Sequence, residues 1–155
     1  MLPVTVYSDY VCPFCYMAFA SLERAREQVA LEATWRAFEL RPEGAPPMDE
    51  AYRARIEQNW PRVQEMGREY GVAFDAPLRV GVNSRDAHRA AKMVARLAPE
   101  QADAFQGALF RAHFTEGADI SDHEVLATLA EAHGVDGAAL REGLAGSGGL
   151  AEVQA

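Results

Sequence analysis

Apolar residues recur at strand spacing in two short segments near the N-terminus and at helical spacing through the rest of the chain. Leu2-Pro3-Val4-Thr5-Val6-Tyr7-Ser8 is an apolar run of strand length, and Leu31-Glu32-Ala33-Thr34-Trp35-Arg36-Ala37 alternates with period two. The phase slips at Ala37-Phe38, which predicts a bulge or burial of both faces. Between the strands, Pro13 to Val29 reads as an Ala-rich helix. Strand, helix and strand in that order predict a right-handed βαβ unit with parallel strands. Gly44 and the prolines between Pro42 and Pro47 then mark a loop.

From Asp49 onward everything reads helical. Asp49 caps a segment to Asn59, Trp60-Pro61 restarts the helix, and Gly71 ends it. Val72 to Val82, with Pro77 and Gly81, is a connector. Asn83 or Ser84 caps a helix to about Leu97, and Ala98-Pro99 starts another that runs to about Thr115 and stops at Gly117. Ser121-Asp122-His123-Glu124 reads as a capping box opening a helix to His133, closed by Gly134. Asp136 caps a last short helix to about Leu144. Gly146-Ser147-Gly148-Gly149 predicts a flexible tail over 146–155. Phe105, Leu109, Phe110 and Phe114 share a helical face and are expected in the core. Trp60, Met66 and Tyr70 have the same reading, with a peptide groove as its alternative.

The chain's 155 residues suffice for one domain with a real core, and 49% hydrophobic with 25% charged residues is ordinary for a globular protein. A formal charge of −8 gives no electrostatic reason to expect nucleic acid or an anionic membrane as partner. No window approaches a membrane-spanning length. Met1-Leu2-Pro3 enters the first strand without a basic n-region or long apolar stretch, so a cytoplasmic setting is expected.

The two cysteines, Cys12 and Cys15, are the only ones and lie two residues apart where the first strand meets the helix. At i and i+3 of a first turn their spacing suits a disulfide. Cys12 would face the unpaired amides and positive end of the helix, which favour a thiolate and make it the attacking sulfur, with Cys15 resolving. Pro13-Phe14 supplies no cation, so helix terminus and amides act alone, and a Cys12 pKa below that of a free thiol is expected. Zinc would need four ligands, yet there is no second cysteine pair, and His88, His113, His123 and His133 show no H-x3-5-H pairing. Pro13 argues against two inert core cysteines, because proline at a first turn fixes the backbone for the helix. His88 and His113 read as solvated or core-satisfied residues, with approach to a substrate as the alternative. Asp9 is expected to stabilise the turn before the helix, or else to raise the Cys12 pKa.

Ser8-Asp9-Tyr10-Val11-Cys12-Pro13-Phe14-Cys15-Tyr16 after a strand resembles the active site of the DsbA-like thioredoxin-fold oxidoreductases, in particular their FrnE-type branch. Phe38 to Glu43 resembles the family's second strand and turn, and Asn83 to Arg89 the start of a helix in its inserted domain. Ala108 to Ser121 is similar to the family segment LF-x-A-x-F-x-E-G-x-D-I-x-D. These blocks occur in family order and span most of the chain.

The resemblance implies an α/β fold, with a thioredoxin-like βαβ core, a large helical insertion and a sheet incomplete at the C-terminus. Residues 1–45 would form the βαβ part, 46–145 the insertion, and 146–155 a tail leading to strands and a cis-proline loop that this sequence does not supply. It implies catalytic Cys12 and Cys15, supported by Asp9, Pro13, Phe14 and Tyr16. It also implies client proteins or small thiols such as glutathione as partners, and neither cofactor nor metal. A two-stranded sheet with a free edge is marginal, which predicts a homodimer. Two other classes stay open. Kappa-type glutathione transferases and chromene-carboxylate isomerases share the broad fold but typically carry serine where this chain has its cysteines. A non-catalytic redox module is the second.

Overall fold

In a computed structural model of the chain, which describes residues 1–155, strand β1 (Leu2–Ser8) leads into helix α1 (Pro13–Arg26) and strand β2 (Leu31–Ala37). The strands form a two-stranded parallel sheet in register from Leu2 opposite Leu31 to Ser8 opposite Ala37. This is the βαβ unit that the alternation predicts. No bulge follows β2: Phe38 donates to the Ser8 carbonyl at 3.0 Å and leaves its ring exposed. Helix α1 ends at Arg26 rather than Val29. The Gln28 and Val29 amides both fold back on the Ala25 carbonyl, and the turn delivers the Ala30 carbonyl to the Leu2 amide at 2.8 Å.

Six helices follow: α2 (Glu50–Tyr70), α3 (Arg85–Leu97), α4 (Ala102–Arg111), α5 (His123–Glu131), α6 (Gly137–Ala145) and α7 (Leu150–Gln154). A short 3-10 turn at Pro99–Gln101 precedes α4, and a π turn at Ala112–Glu116 follows it. Helix α2 runs unbroken through Pro61, where a restart was expected. The carbonyl that loses its donor there is that of Glu57, on a stretch of helix exposed to water, and solvation removes the penalty that would break a buried helix. Helix α5 is capped by Asp122, which accepts from the Glu124 amide at 2.8 Å. Ser121 bonds Asp119 instead, so no reciprocal capping box forms.

The tail over 146–155 is held rather than loose. The Arg89 guanidinium, on α3, donates to the Gly148, Gly146 and Gly143 carbonyls, and α7 buries Val153. Glycine spacing announces freedom but cannot show a buried arginine arriving from more than fifty residues away.

The core lies in the helical block. Phe105, Leu109 and Phe110 of α4 are fully buried with Val94, Ile120, Leu126 and Leu140, and Phe114 joins them. Helix α1 seats Tyr16 and Met17 in the same core, and the absence of a side chain at Gly107 admits the Phe19 ring against α4. Trp60 and Met66 pack on this core, but Tyr70 is exposed, with Arg24 lying 6.0 Å above its ring. An open groove of about 600 Å³ runs between β2, α3 and α4. At its border Asp103 accepts from Trp35 Nε1 at 2.7 Å and Arg26 at 2.6 Å. The cysteines are not among its lining residues. No helix is long and apolar enough to cross a membrane.

Candidate active site

The β1–α1 connection builds the site from its backbone. The Cys12 amide donates to the Asp9 carbonyl at 3.2 Å, closing a turn that leaves Cys12 as the N-cap of α1. Its backbone is extended (φ −97°, ψ 114°), Pro13 occupies the first turn, and no side chain caps the helix. The free amides of that turn therefore meet sulfur: those of Phe14 and Cys15 face the Cys12 thiol. The Cys15 sulfur receives the Asp9 amide and lies by the Ser8 hydroxyl, which has no close partner of its own.

Both thiols are free, half-buried and hydrogen-bonded to each other. The bond from Cys12 pulls the Cys15 thiol down to about 6, against the opposing effect of burial, and the same bond, then burial, raises Cys12. The sequence pointed to a lowered Cys12. Instead one proton is shared between two sulfurs, and the favoured charge rests on Cys15, where the Asp9 amide helps hold it. Such a pair titrates as a unit in two steps. Because the thiolate is the nucleophile, alkylation of the reduced protein speeds up as pH rises through the first step. Iodoacetamide rates are expected to turn over near pH 6. A single midpoint at the free-thiol value of ~8.5 or above would show that the sulfurs do not share the proton.

Asp9 does not cap the turn with its side chain. Its carboxylate, 1% exposed, accepts from the Leu40 amide at 2.8 Å, while His88 Nε2 of α3 lies 3.1 Å from its other oxygen. Burial pushes its pKa up, but hydrogen bonds from His88, Ser84 and Leu40 outweigh that and hold the carboxyl below the usual range. The active-site loop, the segment after β2 and the first turn of α3 are thereby tied at one carboxylate.

Next to it, the buried Tyr10 hydroxyl donates to Gln106 of α4, and its ring stands 4.6 Å from His88 and 5.2 Å from Phe110. Tyr16 stacks on Phe110 at 5.2 Å and on Phe114 at 6.0 Å, which makes it a core anchor of α1. Phe14 is 57% exposed. His113, in the π turn, is buried with its Nδ1 unpartnered, and burial, then Arg79, lowers its pKa to about 4. The structure thus brings Asp9, His88 and the thiols together. Sequence reading missed Tyr10, Gln106, Ser84 and Leu40. Tyr10, Ser84 and Leu40 lie inside the Ser8–Tyr16, Asn83–Arg89 and Phe38–Glu43 blocks, whereas Gln106 carried no local signal. No group of three His, Cys, Asp or Glu side chains converges to hold a metal.

The fold and sequence have counterparts among known proteins. A 33% identical relative, protein YwbO of Bacillus subtilis, aligns over 144 residues, 91% of this chain and 70% of that one. Among solved structures, a probable DsbA oxidoreductase of Streptomyces coelicolor superposes with a TM-score of 0.81 at 23% identity, covering 99% of this chain and 72% of that one. The cytosolic disulfide reductase DsbM of Pseudomonas aeruginosa, solved with GSH, gives 0.70 at 20% identity, covering 99% and 76%. Those structures share the fold. Residues 3–154 match the sequence model of the DSBA-like thioredoxin domain, and the chain belongs to that family.

Proposed function

We propose that the protein is a thiol–disulfide oxidoreductase that cycles Cys12 and Cys15 between dithiol and disulfide on protein or small-thiol clients such as glutathione. The observation that carries this reading is the pair of free, half-buried thiols hydrogen-bonded to each other at the start of α1, each sulfur met by backbone amides. In the oxidising direction a client thiolate attacks Cys12 of the Cys12–Cys15 disulfide. The S–S bond breaks, and Cys15 leaves as a thiolate. A second client thiolate then attacks the client sulfur of the mixed disulfide and frees Cys12. The client loses two electrons, and the enzyme pair gains them. The lowered Cys15 suits the leaving role, because a thiol of low pKa leaves faster. In the reducing direction the Cys12 thiolate attacks a client disulfide and frees one client thiolate. Cys15 then attacks Cys12 of the mixed disulfide, forming the Cys12–Cys15 bond and releasing the second client thiolate with both electrons.

Three exposed apolar side chains, Phe14 between the cysteines and Phe38 and Leu40 in the segment after β2 that bonds Asp9, suit an unfolded or extended client. A reducing compartment and glutathione as redox partner fit the absence of any other cysteine, and DsbM offers a precedent for both. A homodimer formed through the free edge of β1 or the helical block belongs to the same reading. Light scattering is expected to show a dimer at micromolar concentration, and a stable monomer would remove it.

The reading is tested by titration in glutathione buffers with thiol trapping and intact mass. A reversible two-electron transition is the expected result, and its midpoint assigns oxidant, isomerase or reductant. If no disulfide forms at any poise, the oxidoreductase reading fails.

A further inference from the structure

Asp9 occupies a singular place, since one residue touches both cysteines through its backbone while its carboxylate is buried. Its carbonyl takes the Cys12 amide, and its own amide faces the Cys15 sulfur. Its side chain is 1% exposed and that of His88 5%, so water does little to screen either from the dithiol. The groups around the carboxylate are few. Helix α3 supplies His88, with Ser84 at its start, and the segment after β2 supplies the Leu40 amide. The π turn supplies His113, the loop itself Tyr10, and α1 the two thiols. Tyr10 and His113 are both held neutral by burial, and no lysine or arginine pairs with Asp9. His88 is therefore the one ionisable side chain hydrogen-bonded to Asp9, beside the neutral donors Ser84 and the Leu40 amide.

We propose that Asp9 and His88 set the reduction potential of the Cys12–Cys15 couple, Asp9 as a positioning residue whose buried charge opposes the thiolate and His88 as the group that tempers that charge. The inference rests on the oxidoreductase reading. The balance makes the reason plain. Reduction breaks the Cys12–Cys15 bond, takes two electrons from a client dithiol and leaves a pair that keeps one proton and one negative charge between its sulfurs. The disulfide carries no charge. A fixed carboxylate beside the pair thus disfavours the reduced form alone and makes the protein a weaker oxidant. Helix α3 belongs to the helical block, so the block would tune the chemistry of the βαβ unit through a single hydrogen bond.

The test uses two substitutions that perturb the same hydrogen bond, one from the carboxylate side and one from the imidazole side. Wild type, D9N, H88Q and D9N/H88Q are equilibrated in glutathione buffers at pH 7 and their reduced fractions read by thiol trapping and intact mass, with near-ultraviolet circular dichroism as a check on packing. D9N is expected to favour the reduced form about tenfold, which is about 30 mV toward the oxidising side. H88Q is expected to move the equilibrium the opposite way, and the double variant to match D9N, because His88 has nothing to temper once Asp9 is neutral. The alkylation midpoint should fall in D9N and rise in H88Q. Shifts of the same sign in the two single variants, or none in either, would overturn the inference, since lost packing cannot move the couple in both directions. If D9N does not fold, the sign of the H88Q shift decides alone. If wild type shows no reversible couple, the oxidoreductase reading falls with it; if wild type cycles and the variants do not diverge, only the inference falls.

Discussion

Replacing Cys12 with serine is expected to reduce disulfide exchange to the uncatalysed rate, whereas replacing Cys15 with serine leaves a protein that accumulates mixed disulfides. The asymmetry follows from position. Cys12 is the N-cap, with the Phe14 and Cys15 amides on its sulfur, so a client that has reacted there meets a helix start that stabilises the outgoing charge. In the proposed cycle Cys15, held beside the Asp9 amide, acts on what Cys12 has bound. A serine hydroxyl cannot take its place at either sulfur, because it forms no disulfide and does not ionise near neutral pH. The Cys15→Ser variant also loses the thiol–thiol bond that raises Cys12, so its remaining thiol should ionise at lower pH than Cys12 does in the intact pair. Insulin reduction assays report the lost turnover, and intact mass after incubation with oxidised glutathione reports the trapped adduct. Full turnover by Cys12→Ser, or glutathione-dependent activity surviving in it, would replace the redox cycle with transferase or isomerase chemistry.

Local chemistry explains what was legible in the sequence. The βαβ unit follows from strand spacing on either side of an Ala-rich segment, and the dithiol from two cysteines and a proline at its start. Phe105, Leu109, Phe110 and Phe114 announce their burial by helical spacing, and all four are buried. What stayed hidden depends on distant partners. Asp9 reads as a cap because it precedes a helix, yet its carboxylate is claimed by Leu40 and His88, 31 and 79 residues away. Tyr10 finds Gln106 across 96 residues. Pro61 reads as a break because the rule for proline assumes a buried carbonyl, and that helix face is wet. The thiol–thiol bond stayed hidden for a related reason. Helix position favours Cys12, but the proton shared with Cys15 and the Asp9 amide become visible only once the turn is built.

Phe110→Ala should be the costliest change in the core, and its consequence should reach the cysteines. The ring is fully buried and packs against Tyr10, Tyr16 and Phe19, with centroids 5.2, 5.2 and 5.8 Å away. Tyr10 precedes the Cys12–Cys15 pair by two residues and Tyr16 follows it directly, so one side chain of α4 steadies both ends of the active-site turn. Removing a buried phenylalanine typically costs about 3–5 kcal/mol in transfer energy and cavity. For a chain of this size that amounts to a fall in Tm of roughly 6–20 °C. Phe38→Ala, at a ring 55% exposed, serves as the matched control and should stay within about 0.5 kcal/mol. Denaturant unfolding of both variants in the reduced state makes the comparison. A Phe110→Ala cost below about 1 kcal/mol would mean that the cavity collapses freely. The helical block would then not be what holds the dithiol turn in shape. At the expected cost, the thiols of the folded variant should also alkylate faster at pH 7, because a turn that loses its brace opens both sulfurs to solvent.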